Sequence, residues 1–148
     1  IDWSLLEKNK DLFEFFKFMI DYRKKHPVIR KKLDNAVCGM EAMHAHDVNA
    51  ERMEVPQNAK TLAVSFAGYD RKKGKDDLVY VAVNAYWEEV KITLPNLANH
   101  GAWYLSVDTY GDEKGKYFYQ EGEEIRIDRE YVMKPRSIVV FTGREILR

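Results

Sequence analysis

The chain has 148 residues, 45% of them hydrophobic and 13% aromatic, and its 24 Lys and Arg are matched by 24 Asp and Glu. That length and apolar content suit one domain with its own core and exclude a disordered chain. The zero formal charge excludes the strong positive field that nucleic-acid binding needs, and no segment has the roughly 18 uncharged apolar residues of a membrane-spanning helix.

The lone Cys38 has no internal disulfide partner, which fits a reducing compartment and sets the expected location as cytoplasmic. The chain begins at Ile1, without an initiator Met or a signal-like stretch, and reads as a fragment of a longer polypeptide.

Ser4 with Glu7, and Asp11 with Glu14, have the form of capping boxes at helix starts. Leu12, Phe15, Phe16, Met19 and Tyr22 then recur at helical spacing, and Phe13, Phe18 and Ile20 widen the stripe beyond one face. A helix this apolar is expected to touch two partners. The helix should stop at His26-Pro27, because a residue before proline is pushed out of the α region; residues 28–33 are expected to add one more turn. Residues 38–58 read mainly as loop, with one short strand near 40–44. Within that loop His44, His46 and Asp47 have an HxHD form. On a strand, residues two apart share a face, so both imidazoles would reach one ion. No further ligand is evident nearby, so no metal is assigned and the stretch is read as a polar loop.

From residue 62 the period changes to two. Leu62, Val64 and Phe66 alternate with Ala63 and Ser65, and residues 70–77 (DRKKGKDD) form a charged hairpin loop. Residues 78–83 (LVYVAV) are apolar on both sides and should form a central strand covered on both faces. Val90, Ile92 and Leu94 mark a strand that Pro95 ends; Trp103, Leu105 and Val107 mark another with all three on one face; Ile125 with Ile127, and residues 138–141, supply the last two. About six short strands with turns between them, and no helix among them, predict an antiparallel β-sandwich with an N-terminal helical segment.

Three stretches carry a resemblance. WSLLEKN at 3–9, LFEFF at 12–16 and YRKKHP at 22–27 are similar to the segment entering and forming the eighth barrel helix of glycogen-debranching and isoamylase-type enzymes of the α-amylase superfamily. VYVAVNAYWE at 79–88, followed by Leu94-Pro95, resembles a strand pair of that family's C-terminal domain. WYLSVDT at 103–109 and PRSIVVF at 135–141 resemble its closing strands. Residues 38–58 depart from the family pattern, and nothing is carried over to them.

The resemblance implies a helical segment at 1–36, from the end of a TIM barrel, and a C-terminal β-sandwich domain at 37–148. It implies a parent that hydrolyses α-1,6 branch linkages in glycogen or related α-glucans. Retaining glycosidases use two carboxyl groups about 5–5.5 Å apart, which in this family sit on middle barrel strands. That region would precede residue 1, so no catalytic residue and no cofactor is assigned here. The expected role is to stabilise or shield the catalytic barrel, which is the expected partner. The alternatives are a carbohydrate-binding module for α-glucans and a free-standing interaction domain.

For the second reading the candidates are Tyr86 and Trp87 at a hairpin, and Tyr110, Tyr117 and Tyr119 around a Gly-rich charged loop. Sugar rings stack on aromatic faces, but each of these residues also has a packing role open to it, as rim or end cap of the sandwich. The phenylalanines at 13, 15, 16 and 18 exceed what one sandwich can cover. The isolated chain is therefore expected to fold its helix, residues 12–25, onto the sandwich or to self-associate through it.

Overall fold

The computed structural model describes residues 2–50, 52, 55–98 and 101–145. Two helices, α1 (Leu5–Lys8) and α2 (Lys10–Lys25), and a short 3-10 helix (Pro27–Ile29) precede eight strands: β1 (Met43–His46), β2 (Thr61–Asp70), β3 (Lys75–Asn84), β4 (Val90–Thr93), β5 (Gly101–Asp108), β6 (Ile125–Ile127), β7 (Glu130–Met133) and β8 (Ser137–Glu145). Six strands form one sheet in the order β1-β2-β3-β8-β5-β6, and β4 pairs with β7 in a second. All these pairings are antiparallel.

The mainly β sandwich is present as expected. Its core lies between the sheets, where Tyr80, Trp103 and Phe141 meet Ile92, Leu94 and Met133, all at most 2% exposed. On the opposite, outer face of the large sheet a second cluster joins Phe18, Tyr22 and Val28 to Val79, Val107 and Val140. The helix is thus folded onto the sandwich, and β3 and β8 are covered on both sides along part of their length.

Several local expectations are corrected. Neither capping box forms: Ser4 Oγ bonds the Asp2 carboxylate at 2.7 Å, and Asp11 lies inside α2, whose N-cap is Asn9. The turn after Pro27 is 3-10 and ends at Ile29. The early strand is shifted to Met43–His46 because its register with β2 places His46 opposite Ala63. The β2–β3 hairpin is tighter than the charge run implied. Asp70 pairs with Lys75, and Gly74, at φ +65°, closes the turn.

In β2 the small residues face the inter-sheet core. Thr61, Ala63, Ser65 and Ala67 are the buried set, and Leu62 is 48% exposed. The bulky rings of Tyr80 and Trp103 occupy the inter-sheet space and leave room only for small side chains opposite. In β5 a bulge between Leu105 and Val107 breaks the period. Trp103 and Leu105 point to the inter-sheet core, and Val107 points to the helix.

Candidate functional site

Three polar anchors position α2 on the sheet. Tyr22 Oη meets Thr142 Oγ1 at 2.8 Å, and Thr142 also bonds Ser106 Oγ at 2.8 Å. Ser106 sits at the β5 bulge, so the bulge turns its hydroxyl toward the helix. At the helix end, His26 Nδ1 lies 2.5 Å from Asp77 Oδ1, while Asp77 Oδ2 accepts the Val28 amide at 3.1 Å. The adjacent Asp76 accepts the amides of Val37 and Cys38, both at 2.8 Å. Lys73, in the β2–β3 turn, donates to the Lys25 carbonyl and so covers the helix C-terminus. The DRKKGKDD run is therefore a clamp on the helix and its linker. Its charge pattern alone reads only as a charged hairpin loop.

The helix is only half used by this contact. Phe18 and Tyr22 are buried, and Phe15 is half-buried against Tyr117, with ring centroids 5.9 Å apart. On its other flank Leu12, Phe13, Phe16 and Ile20 are each 50% exposed or more.

A cavity of about 790 Å³ opens between the helix C-terminus, the β2–β3 turn and the 119–124 loop. Two ion pairs, Lys25 with Glu121 and Arg144 with Glu124, and the His26–Asp77 hydrogen bond bind residues of its lining to one another.

The Asn-Ala-Tyr-Trp-Glu stretch forms a second feature. Asn84 is 1% exposed; its amide donates to the carbonyls of Glu88 and Lys134, and its oxygen accepts the Tyr86 amide. This places Tyr86 and Trp87 side by side, centroids 4.2 Å apart, with Trp87 64% exposed and Lys60 Nζ 3.8 Å above the Tyr86 ring. Arg136, in the left-handed region at φ 51°, bonds the Tyr86 carbonyl from the β7–β8 turn. The Leu-Pro stretch has an equally local purpose, because the Pro95 carbonyl accepts the Trp103 indole N–H at 2.7 Å.

The other aromatic candidates do not form one platform. Tyr110 is exposed, Tyr117 packs on Phe15, and Tyr119 is 7% exposed within the inter-sheet core. Burial raises the Tyr119 hydroxyl pKa above its ordinary value. As for the HxHD stretch, both ring nitrogens of His46 are occupied, Nδ1 donating to the Ala50 carbonyl and Nε2 meeting Ser65 Oγ. His44 pairs with Glu41 and Asp47 with Arg52. Among the described residues no group of three or more His, Cys, Asp or Glu is placed to hold a metal ion, and no helix is long and apolar enough to cross a membrane.

These features define a β-sandwich module with a helix docked on one outer face. The chain belongs to the isoamylase C-terminal domain family, which matches residues 36–142 and is a domain associated with glycoside hydrolases. It is also 28% identical over 108 residues to a curated relative, chloroplastic isoamylase 3 of Oryza sativa subsp. japonica, covering 72% of this chain and 12% of that protein. The chain thus spans about an eighth of the length of the relative it matches.

Proposed function

We propose that this chain is the non-catalytic C-terminal domain of a glycogen-debranching or isoamylase-type hydrolase that cleaves α-1,6 branch linkages in α-glucans. Its role is to cover apolar surface of the catalytic barrel and hold the last barrel helix in place. The observation that carries this reading is the two-sided helix: one side of α2 is fixed to the sheet through Phe18 and Tyr22, and on the other Leu12, Phe13, Phe16 and Ile20 are exposed. The test compares the polypeptide of the native reading frame with a version ending before this chain, both assayed for debranching of glycogen. The full-length protein should cleave, the chain alone should not, and the shortened version should lose activity faster on heating. Equal heat inactivation of the two would sink the stabilising role.

A second reading, glucan contact, is favoured by the paired Tyr86 and Trp87 rings and the exposure of Trp87. Affinity electrophoresis in a glycogen gel separates the two. Retardation abolished by Trp87→Ala supports glucan contact, and unretarded migration supports the structural role.

A further inference from the structure

At the C-terminal end of α2 the cations and the carboxylates are turned in opposite directions. Six Lys and Arg, from Arg23 to Lys32, stand between Asp21 and Asp34 with no carboxylate among them, and four more, Arg71, Lys72, Lys73 and Lys75, lie between Asp70 and Asp76. Three contacts join these stretches into one surface. Arg71 pairs with Asp34, the Asp34 carbonyl accepts the Tyr69 amide at 2.9 Å, and Lys73 donates to the Lys25 carbonyl.

Half of the carboxylates here face inward. Asp77 is 5% exposed and is held by His26 and the Val28 amide; half-buried Asp76 accepts the Val37 and Cys38 amides; Asp70, 7% exposed, accepts the Lys72 amide at 3.0 Å. The outer three, Asp21, Asp34 and Glu121, are paired with Lys24, Arg71 and Lys25. Arg23, Arg30, Lys31, Lys32, Lys72 and Lys75 are exposed, and among the described residues none of them has an ion-pair partner. Although the whole chain is formally neutral, this end sets ten cations against six carboxylates, and the six unpaired cations are the part that meets water. Like charges held this close repel one another, and a multivalent anion relieves that repulsion.

The make-up of this face selects the kind of anion. Protein interfaces are depleted of Lys and anchored by aromatic side chains, and residues 21–37 and 69–77 expose no aromatic side chain. Single-stranded nucleic acid needs aromatic platforms for its bases, which are missing for the same reason. A second copy, related by a two-fold axis, would set these cations against their own equivalents. A compact anion with several charges fits, and ammonium and guanidinium groups are the side chains that bind phosphate. We propose that this face binds a ligand carrying several phosphate groups, held by Arg30, Lys32 and Lys72 around the Asp34–Arg71 pair. The site is separate from the Tyr86–Trp87 pair and does not rest on the function proposed above. Phosphate of this kind comes either as free oligophosphate or as phosphate esters on a glucan chain.

Isothermal titration of the native full-length polypeptide with inorganic tripolyphosphate tests the site. Binding should be measurable in low salt and weaken as salt is raised, because exposed charges are screened. Lys32→Glu combined with Lys72→Glu should lower the affinity about tenfold without moving the melting temperature, since both side chains are exposed. The same change of charge at Lys8→Glu with Lys10→Glu, at the other end of the 16-residue α2 and about 20 Å away, should leave the affinity unchanged. Equal losses in the two double variants overturn the proposal, because only net charge is then being read. No tripolyphosphate binding also overturns it, and binding to anionic phospholipid vesicles in that case assigns the face to a membrane surface instead. Gel retardation identifies the source once tripolyphosphate binds. Stronger retardation by a phosphate-bearing glucan than by the same glucan after phosphatase treatment supports the site with esters on the polymer, and equal retardation supports it with free oligophosphate.

Discussion

Tyr22 and Tyr80 bury their phenol rings on opposite faces of one sheet with opposite consequences. Burial raises both hydroxyls far above the ordinary tyrosine pKa, so both are neutral donors at any physiological pH. Tyr22 spends its hydroxyl on Thr142, whereas Tyr80 Oη has no hydrogen-bond partner among the described residues. A net buried hydrogen bond is worth about 1 kcal/mol, and an unsatisfied hydroxyl costs a similar amount. Tyr22→Phe should therefore lower unfolding stability by about 1 kcal/mol, and Tyr80→Phe should leave it unchanged or raise it. Urea denaturation of the two variants checks both signs. His46 supplies a pH dependence. Burial, the largest cause, lowers its pKa below the ordinary 6.5. The unfolded chain then takes up a proton before the folded one does, so His46 contributes fully above about 6.5 and that contribution is lost as pH falls through 6.5 toward the lowered folded value. His46→Gln should flatten the fall in urea midpoint between neutral and mildly acidic buffers; an unchanged slope would show that other groups control it.

At the scale of elements, α2 is held by apolar contact more than by its polar anchors, because Phe18 is 8% exposed between Phe118, Tyr22 and the valines of the sheet. Truncating a buried Phe costs about 3–5 kcal/mol. Phe18→Ala should cost that much and reduce helical circular dichroism before the sheet melts. A cost under about 1 kcal/mol, with the helix signal intact, would show that α2 docks by other means. Gly143 marks a close approach inside the sandwich, since a Cβ there would meet Leu78 Cβ at 2.8 Å and Trp103 Cζ3 at 3.1 Å. Gly143→Ala should cost about 1–3 kcal/mol by overpacking, read as a lower urea midpoint. These details mark where the sequence pattern stops being informative. The strands around Leu78, Val90, Trp103 and Ile138 were legible because apolar residues alternate or run together between turn residues. β7 was missed, because Glu130, Tyr131, Val132 and Met133 mix charge with apolarity over four residues. The alternation of Leu62, Val64 and Phe66 with Ala63 and Ser65 marks the strand but does not say which set faces the other sheet, where small residues fill the space opposite large rings. The bulge that turns Val107 away from Trp103 has no signature in Trp-Tyr-Leu-Ser-Val-Asp. Of the candidate site, the two-sided helix could be read from its widened stripe. The carboxylate clamp of Asp76 and Asp77 could not, because its partners lie 38 to 51 residues away in the chain.

For the whole molecule, the two faces of the large sheet differ in what they leave unfinished. The inter-sheet side is closed, with Tyr80, Phe141, Ile92 and Met133 fully buried. The outer side carries a clamped helix, an open apolar flank at Leu12, Phe13, Phe16 and Ile20, and a partly bare sheet at Leu62, Val83 and Ile138. If that surface packs on a barrel, sandwich and barrel share an interface, and removing water from it stabilises whichever partner is weaker. Coupling of this kind has a calorimetric signature. The native full-length protein should unfold in one main transition above the melting temperature of the isolated chain, because neither part can melt without exposing the joint surface. Replacing Phe13 and Phe16 by Ser removes exposed side chains and should leave the isolated chain's stability within about 0.5 kcal/mol. In the full-length protein the same pair of changes should split the transition in two, with the lower component at the isolated chain's own melting temperature. A full-length protein that already shows two independent transitions, one coinciding with the isolated chain, would mean that the sandwich hangs beside its neighbour without bracing it.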